Sequence, residues 1–102
     1  MVKHIILWTL RDDLSEEEKA SVKAGIKQGL EGLAGKIPGL VSIRVQTDHL
    51  ASSTTDLMLD STFTDEAALQ GYSRHPAHLE VANGKVRPYT KQRACLDFET
   101  EA

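Results

Sequence analysis

Residues 4–10, HIILWTL, form an almost uninterrupted apolar run near the start of the chain. A β-strand with one face in water alternates apolar and polar side chains, whereas a strand covered on both faces is apolar throughout. The run is shorter than the roughly 20 residues of a membrane-spanning helix, and no small-residue cleavage site follows it. It therefore predicts a first strand covered on both faces, in a cytoplasmic protein that does not act at a membrane.

Capping signals and periodicity predict the other elements. Ser15 and Glu18 fit a capping box at the start of a helix whose apolar residues recur at helical spacing up to Leu33. Pro76 cannot continue a helix but suits the first position of a new one. The later elements are predicted as strands over 40–46, 56–63 and 91–98, helices over 64–75 and 77–83, and a frayed tail over 99–102. The alternation in 40–46 predicts Val41, Ile43 and Val45 on one apolar face.

The resulting order, strand, helix, strand, strand, helix pair, strand, predicts an α+β fold of the ferredoxin-like βαββαβ type with an antiparallel sheet. A chain of 102 residues is most simply one domain, residues 1–102, with a modest core. Helices in this arrangement cover one face of the sheet, so the apolar first strand needs a second cover. A second copy of the chain across a two-fold axis provides it, which predicts a homodimer.

The charge and cysteine content exclude several classes of protein. The formal net charge is −3, and lysine and arginine are scattered, so we expect no nucleic-acid partner. Cys95 is the single cysteine, so no internal disulfide can form. Its place in the strand-like run RACLDF predicts a buried structural thiol.

The stretch YSRHPAHLEV, residues 72–81, gathers Tyr72, His75 and His78 around Pro76. Histidine exchanges protons near neutral pH, and a tyrosine hydroxyl can donate to a developing oxyanion. Such a pair in a dry cleft between helices and sheet needs no cofactor. The structural alternative is that His75 is the N-cap of the second helix and Tyr72 packs in the core.

Other polar residues have weaker indications of function. His75 and His78 are three residues apart, as two metal ligands on one helix face can be, but only Glu80 is near as a third, so no metal is predicted. His4 heads an apolar strand and is expected in the core or the interface. The strand carboxylates Asp60 and Asp97 need partners, and the candidates are Arg44 and Arg93.

Taken together, several segments resemble the stress-responsive dimeric α/β-barrel (Dabb) domain. They are VKHIILWTL, LSEEEK, KIPGLVSIRV, STFTDEAALQGY, HPAHLEV and VRP. The resemblance covers almost the entire chain and implies a homodimer whose two sheets close into a barrel. A plant branch of this family cyclises linear polyketides by an intramolecular aldol reaction, with a histidine and a tyrosine in the pocket. By this resemblance the tyrosine falls on Tyr72, the histidine on His78, and a further histidine on His4.

Two functions follow as hypotheses. The first is a small homodimeric stress-responsive protein that binds a small hydrophobic or aromatic ligand in a cleft lined by Tyr72, His75 and His78. The second is a cofactor-independent enzyme of the polyketide-cyclase or small-monooxygenase type. In that enzyme His78 is the base, Tyr72 is the hydrogen-bond donor, and His4 is a third catalytic candidate.

Overall fold

The structure, a computed structural model, describes residues 1–100. Four antiparallel strands form one sheet, and the helices lie on one of its faces, which confirms the predicted ferredoxin-like α+β fold. In chain order the elements are β1 (Val2–Leu10), α1 (Glu16–Glu31), β2 (Leu40–Gln46), β3 (Leu57–Phe63), α2 (Glu66–Arg74), α3 (Pro76–Val81), a π-helical segment (Ala82–Val86), a 3₁₀ turn (Arg87–Tyr89) and β4 (Thr90–Glu99). The strand order across the sheet is β2-β3-β1-β4.

The helix starts are fixed by side chains that bind free backbone amides. The capping box predicted for α1 is present: the Glu18 N–H donates to Ser15 Oγ at 3.1 Å, and the Ser15 N–H donates to Glu18 Oε1 at 2.9 Å. At the start of α2, the Ala68 N–H donates to Asp65 Oδ1 at 2.8 Å.

The two faces of the sheet differ in cover. On β1 the even-numbered residues, including His4, Ile6 and Trp8, are buried beneath the helices. The odd-numbered residues point to the opposite, outer face, where Leu7 is 37% exposed. The strand register adds more apolar side chains to this outer face, which carries Ile5, Leu7, Met58, Ala94, Leu96 and Phe98. Within one chain, then, β1 is covered on its helix face alone.

Four local predictions are corrected. Cys95 is exposed, not buried, because β4 is an edge strand that the helices do not reach across. Val41 lies at a shift of the β2–β3 register and is 50% exposed, so it does not share the inward face of Ile43 and Val45. The other two concern the ends of segments.

The second short helix ends at Val81 and continues as the π-helical segment, where we predicted a helix to residue 83. The predicted frayed tail begins inside β4, which extends to Glu99, and the Thr100 N–H donates to the Met1 carbonyl at 2.8 Å. The rest of that tail lies outside the described residues. None of the helices within residues 1–100 has both the length and the apolar character needed to cross a bilayer.

Candidate functional site

The helical conformation is interrupted between α2 and α3 at His75, whose backbone is extended with φ −66° and ψ 132°. Pro76 opens α3, as predicted from its missing N–H. The His75 ring caps the new helix, because the Ala77 N–H donates to its Nδ1 at 3.1 Å. His75 is therefore the N-cap that one of our two interpretations described, and it does not line the cavity that Tyr72 and His78 share.

Tyr72 and His78 approach each other from either side of this break. Their ring centroids are 4.2 Å apart and the ring planes are tilted by 40°. His4, from β1, meets the Tyr72 ring edge-on at a centroid distance of 6.0 Å, and Phe63 lies against Tyr72 at 5.0 Å. The fold thus brings His4, which is distant in the sequence, next to Tyr72 and His78.

A small cavity of about 80 Å³ lies between the sheet and the helices at this point. Pockets for drug-sized ligands measure roughly 300–1,000 Å³, so this cavity suits the reacting end of a substrate or a molecule of few heavy atoms. The lining combines apolar, aromatic and basic side chains: His4, Ile6, Trp8, Leu30, Leu59, Tyr72, His78, Ala82, Val86, Arg87, Thr90 and Arg93.

Two buried polar atoms in this cavity lack a hydrogen-bond partner among the described residues. They are the Tyr72 hydroxyl and Nδ1 of His78. Buried polar groups in proteins are nearly always paired, and an unpaired one costs about 1–3 kcal/mol. In the tautomer that carries the His78 proton on Nε2, a donor and an acceptor are unpaired on adjacent rings. A small ligand with a carbonyl oxygen and an acidic C–H would satisfy both.

Burial sets the protonation state of both groups. It raises the pKa of Tyr72 far above its usual value, against a smaller opposing effect of Arg93, so the phenol keeps its proton. Burial also lowers the pKa of His78, and electrostatic interactions with the nearby Arg87 and Arg93 guanidinium groups act in the same direction. The nearby Ser73 backbone opposes this shift, although it does not form a hydrogen bond with His78 Nδ1. At neutral pH, Tyr72 is therefore a hydrogen-bond donor and His78 a neutral base.

His4 is held in place by Asp97 on the neighbouring strand. Its Nδ1 lies 2.5 Å from Asp97 Oδ1, across a register that places the two residues opposite each other. Our prediction that Arg44 or Arg93 would pair with the strand carboxylates is wrong: Asp97 pairs with His4, and Asp60 binds Lys3 Nζ at 2.9 Å. A carboxylate on Nδ1 fixes the orientation of the His4 ring toward the cavity.

Cys95 completes a trio with His4 and Asp97 whose nitrogen, sulfur and oxygen atoms lie within 4.8 Å of one another. Its Sγ is 3.5 Å from Asp97 Oδ1 and 3.9 Å from His4 Nδ1. A metal ion bound here would have to displace Asp97 from its 2.5 Å contact with His4 Nδ1. We therefore assign Asp97 to positioning His4. Desolvation, followed by the neighbouring Asp97, raises the pKa of Cys95, so its thiol stays protonated.

Sequence reasoning missed three residues of this site: Arg87, Arg93 and Asp97. Arg93 and Asp97 are on β4, on the same side as Cys95, and the β1–β4 register brings that side next to His4. The period-two pattern of β4 contained this signal, but it could be used only once the pairing of β4 with β1 was known. Arg87 enters through the 3₁₀ turn, for which the sequence carried no clear signal.

The lowered pKa of His78 predicts a specific dependence of stability on pH. Its folded-state pKa is below the ordinary value of 6.5, so at lower pH the unfolded chain takes up a proton that the folded chain resists. The stabilising contribution is fully present above 6.5 and is lost as the pH falls through the folded value. We expect the melting temperature to fall less between pH 7 and 5 in His78→Gln than in the unchanged protein. His49→Gln, in an exposed loop, is the control, and an equal slope in all three proteins would contradict the prediction.

Comparisons with known proteins agree with this fold. The family profile described as "Stress responsive A/B Barrel Domain" matches residues 2–100. A comparison with curated proteins finds no match. Among solved structures, a dimeric protein of unknown function with a ferredoxin-like fold from Bacteroides fragilis is 33% identical. The match covers 97% of this chain and 95% of that one, with a TM-score of 0.91.

More distant structures share the fold alone. A dimeric ferredoxin-like protein of unknown function from Thermobifida fusca is 21% identical, with 97% and 90% coverage of the two chains and a TM-score of 0.78. The hydroxynitrile lyase of Passiflora edulis is 20% identical, with 99% and 94% coverage and a TM-score of 0.72. Because the family profile spans nearly the whole chain, the protein belongs to the stress-responsive A/B barrel domain (Dabb) family.

Proposed function

We propose that the protein is a homodimer that binds a small carbonyl compound in its cavity and catalyses proton transfer on it without a cofactor. The observation that carries this proposal is the pair of unpaired buried atoms, the Tyr72 hydroxyl and His78 Nδ1, on rings 4.2 Å apart. A donor and a neutral base side by side are the groups that enolisation requires. A core that served packing alone would be more stable without them.

The proposed reaction is an aldol addition or its reverse. Nδ1 of His78 takes a proton from the carbon next to a carbonyl group, while the Tyr72 hydroxyl donates a hydrogen bond to the enolate oxygen. The enolate carbon attacks a second carbonyl group, forming a C–C bond. The resulting alkoxide takes the proton back from His78, so that no group is consumed.

His4 serves this reaction as a third polar group at the cavity wall. Its ring is buried, lies edge-on to Tyr72 and is oriented by Asp97. In the proposed roles, His4 contacts the bound carbonyl compound, and Asp97 acts through His4 as a positioning residue. Like Tyr72 and His78, His4 is assigned here by geometry and by its place in the family resemblance. His75 is left out of the reaction, since its ring caps α3.

The homodimer is proposed from the outer face of the sheet. Leu96 is 63% exposed and Phe98 43% exposed within one chain, beside Ile5 and Leu7 of the central strand β1. A contiguous apolar sheet face of this kind is unfavourable in water and is typical of an interface. The related proteins from Bacteroides fragilis and Thermobifida fusca are described as dimeric. The cytoplasmic location stays a prediction from the sequence.

Proton NMR in D₂O tests the catalytic proposal. We expect the protein to accelerate deuterium exchange into acetone and the cleavage of diacetone alcohol, a small β-hydroxy ketone, to two molecules of acetone. Both reactions need one base and one oxyanion donor, so both should be lost together in His78→Ala. The control is His49→Gln, which removes a histidine outside the cavity.

A thermal-shift series with the same ketones separates catalysis from binding. Stabilisation by a ketone without any exchange or cleavage would favour the other hypothesis, a binding protein without catalysis. If the ketones neither stabilise the protein nor react, that result would contradict a carbonyl site in this cavity. The small-monooxygenase alternative stays a prediction from the sequence.

A further inference from the structure

The cavity carries two positive charges and no carboxylate. Arg87 and Arg93 both belong to its lining, whereas aspartate and glutamate do not. Within residues 1–100, neither arginine has a carboxylate oxygen within 4.0 Å. Arg87 donates through Nη1 to the neutral Asn83 side chain, which leaves its charge uncompensated.

Both charges act on the reactive groups. Arg87 and Arg93 each lower the pKa of His78, and Arg93 also acts on the Tyr72 phenol. Their guanidinium groups are therefore near enough to interact electrostatically with Tyr72 and His78, where the carbonyl compound would react. Uncompensated charge of one sign at a partly buried site raises the local concentration of ligands of the opposite sign.

The two arginines mark the solvent end of the cavity. Both are exposed, whereas Tyr72 is 1% exposed and His78 is half-buried. Arg87 comes from the helical layer and Arg93 from the sheet, so the charged end is built from both layers. A ligand that placed its carbonyl group against Tyr72 would have its other end at these guanidinium groups.

We infer that the substrate is an anion, a small carbonyl compound that also bears a carboxylate, and that Arg87 and Arg93 bind this carboxylate. The inference rests on the carbonyl chemistry proposed above and adds the selectivity of the site. A guanidinium presents two parallel N–H groups that match the two oxygens of a carboxylate. The small volume of about 80 Å³ limits the part of the substrate between the carbonyl carbon and the carboxylate to a short chain.

Two probes of nearly equal shape test the charge requirement. Acetoacetate is an anion at pH 7, and acetylacetone is its neutral counterpart with a methyl group in place of one carboxylate oxygen. Isothermal titration calorimetry of the intact protein should show acetoacetate binding more tightly. Arg87→Gln and Arg93→Gln should each lower the affinity for acetoacetate by about 10- to 100-fold, as expected for lost hydrogen bonds to a charged group. Acetylacetone should bind them as it binds the unchanged protein.

The controls separate this inference from the proposed function. Arg74→Gln removes an exposed arginine outside the cavity and should leave both affinities unchanged. Arg93→Lys keeps the charge but not the two-pronged geometry, and should restore part of the acetoacetate affinity. Melting curves confirm that each variant is folded.

Equal affinity for the two probes, or an equal loss of both in the arginine variants, would overturn the anion inference while leaving the carbonyl chemistry intact. Failure of both probes to bind would overturn it as well. Loss of exchange in His78→Ala, measured on neutral acetone, reports on the proposed function alone. The two ideas therefore fail in different experiments.

Discussion

Tyr72→Phe is expected to reduce the rate of α-proton exchange and of diacetone alcohol cleavage by about 100- to 1,000-fold, as loss of one oxyanion donor does in other enzymes. The same change should leave the melting temperature unchanged or slightly higher. The reason is that the Tyr72 hydroxyl is buried without a partner, so its removal breaks no hydrogen bond within residues 1–100. The Phe ring retains the contacts with Phe63 and His78.

Replacement of His78 should lower both the rate and the stability. His78→Ala removes the base, with an expected loss of about 100- to 10,000-fold, and added imidazole should restore part of the rate because it can occupy the space of the lost ring. It should also lower the melting temperature, since a half-buried ring is lost from the core. Steady-state rates and melting curves on the same samples measure both effects.

Tyr89→Phe is the matched control for Tyr72→Phe. Tyr89 is the second of two tyrosines in the chain, is 36% exposed and lies outside the cavity. Unchanged rates in Tyr72→Phe would remove the hydroxyl from the mechanism. A large loss of stability in that variant would show instead that the hydroxyl has a structural partner.

Leu96→Asp is expected to convert the proposed homodimer to monomer. Burying one leucine is worth about 1.5–3 kcal/mol, and a two-fold axis repeats the loss in both subunits. The expected weakening is therefore at least about 3 kcal/mol, or roughly a hundredfold in the dimer dissociation constant. Sedimentation equilibrium at micromolar protein concentration measures it, with melting curves to show that the variant is folded.

Leu50→Asp controls for the general effect of a new charge. Leu50 is 78% exposed and belongs to the loop between β2 and β3, away from the outer face of the sheet. It should leave the dimer intact. A monomeric unchanged protein, or a Leu96→Asp dimer of normal affinity, would contradict an interface on the outer face.

Local rules predicted most of the fold because they depend on neighbours in the sequence. The capping box at Ser15, the cap at His75 and the helix start at Pro76 each involve residues within a few positions of one another. The ferredoxin-like fold followed from the order of the elements. The convergence of Tyr72 and His78 was expected for the same reason, since both residues flank the break at Pro76.

The remaining features depend on contacts between distant segments. The pairing of His4 with Asp97 follows from the β1–β4 register, which no local pattern specifies. The exposure of Cys95 follows from how far the helices reach over the edge strand, and the volume of the cavity follows from how closely they pack. Gly29 illustrates the last point: a Cβ there would lie 2.9 Å from Val81 Cγ1, so the missing side chain sets the spacing between α1 and α3.

The break at His75 and Pro76 has a consequence for how this site could change in evolution or in the laboratory. Tyr72 lies on α2 and His78 on α3, and the His75–Pro76 connection between these helices lies outside the cavity. A substitution in this connection would alter the angle between α2 and α3. The relative orientation of the Tyr72 hydroxyl and the His78 ring would then change, while both reactive side chains stayed the same. Descendants of one ancestor could in this way act on substrates of different shape with an identical pair of reactive groups, and a library confined to residues 74–77 would explore that range directly.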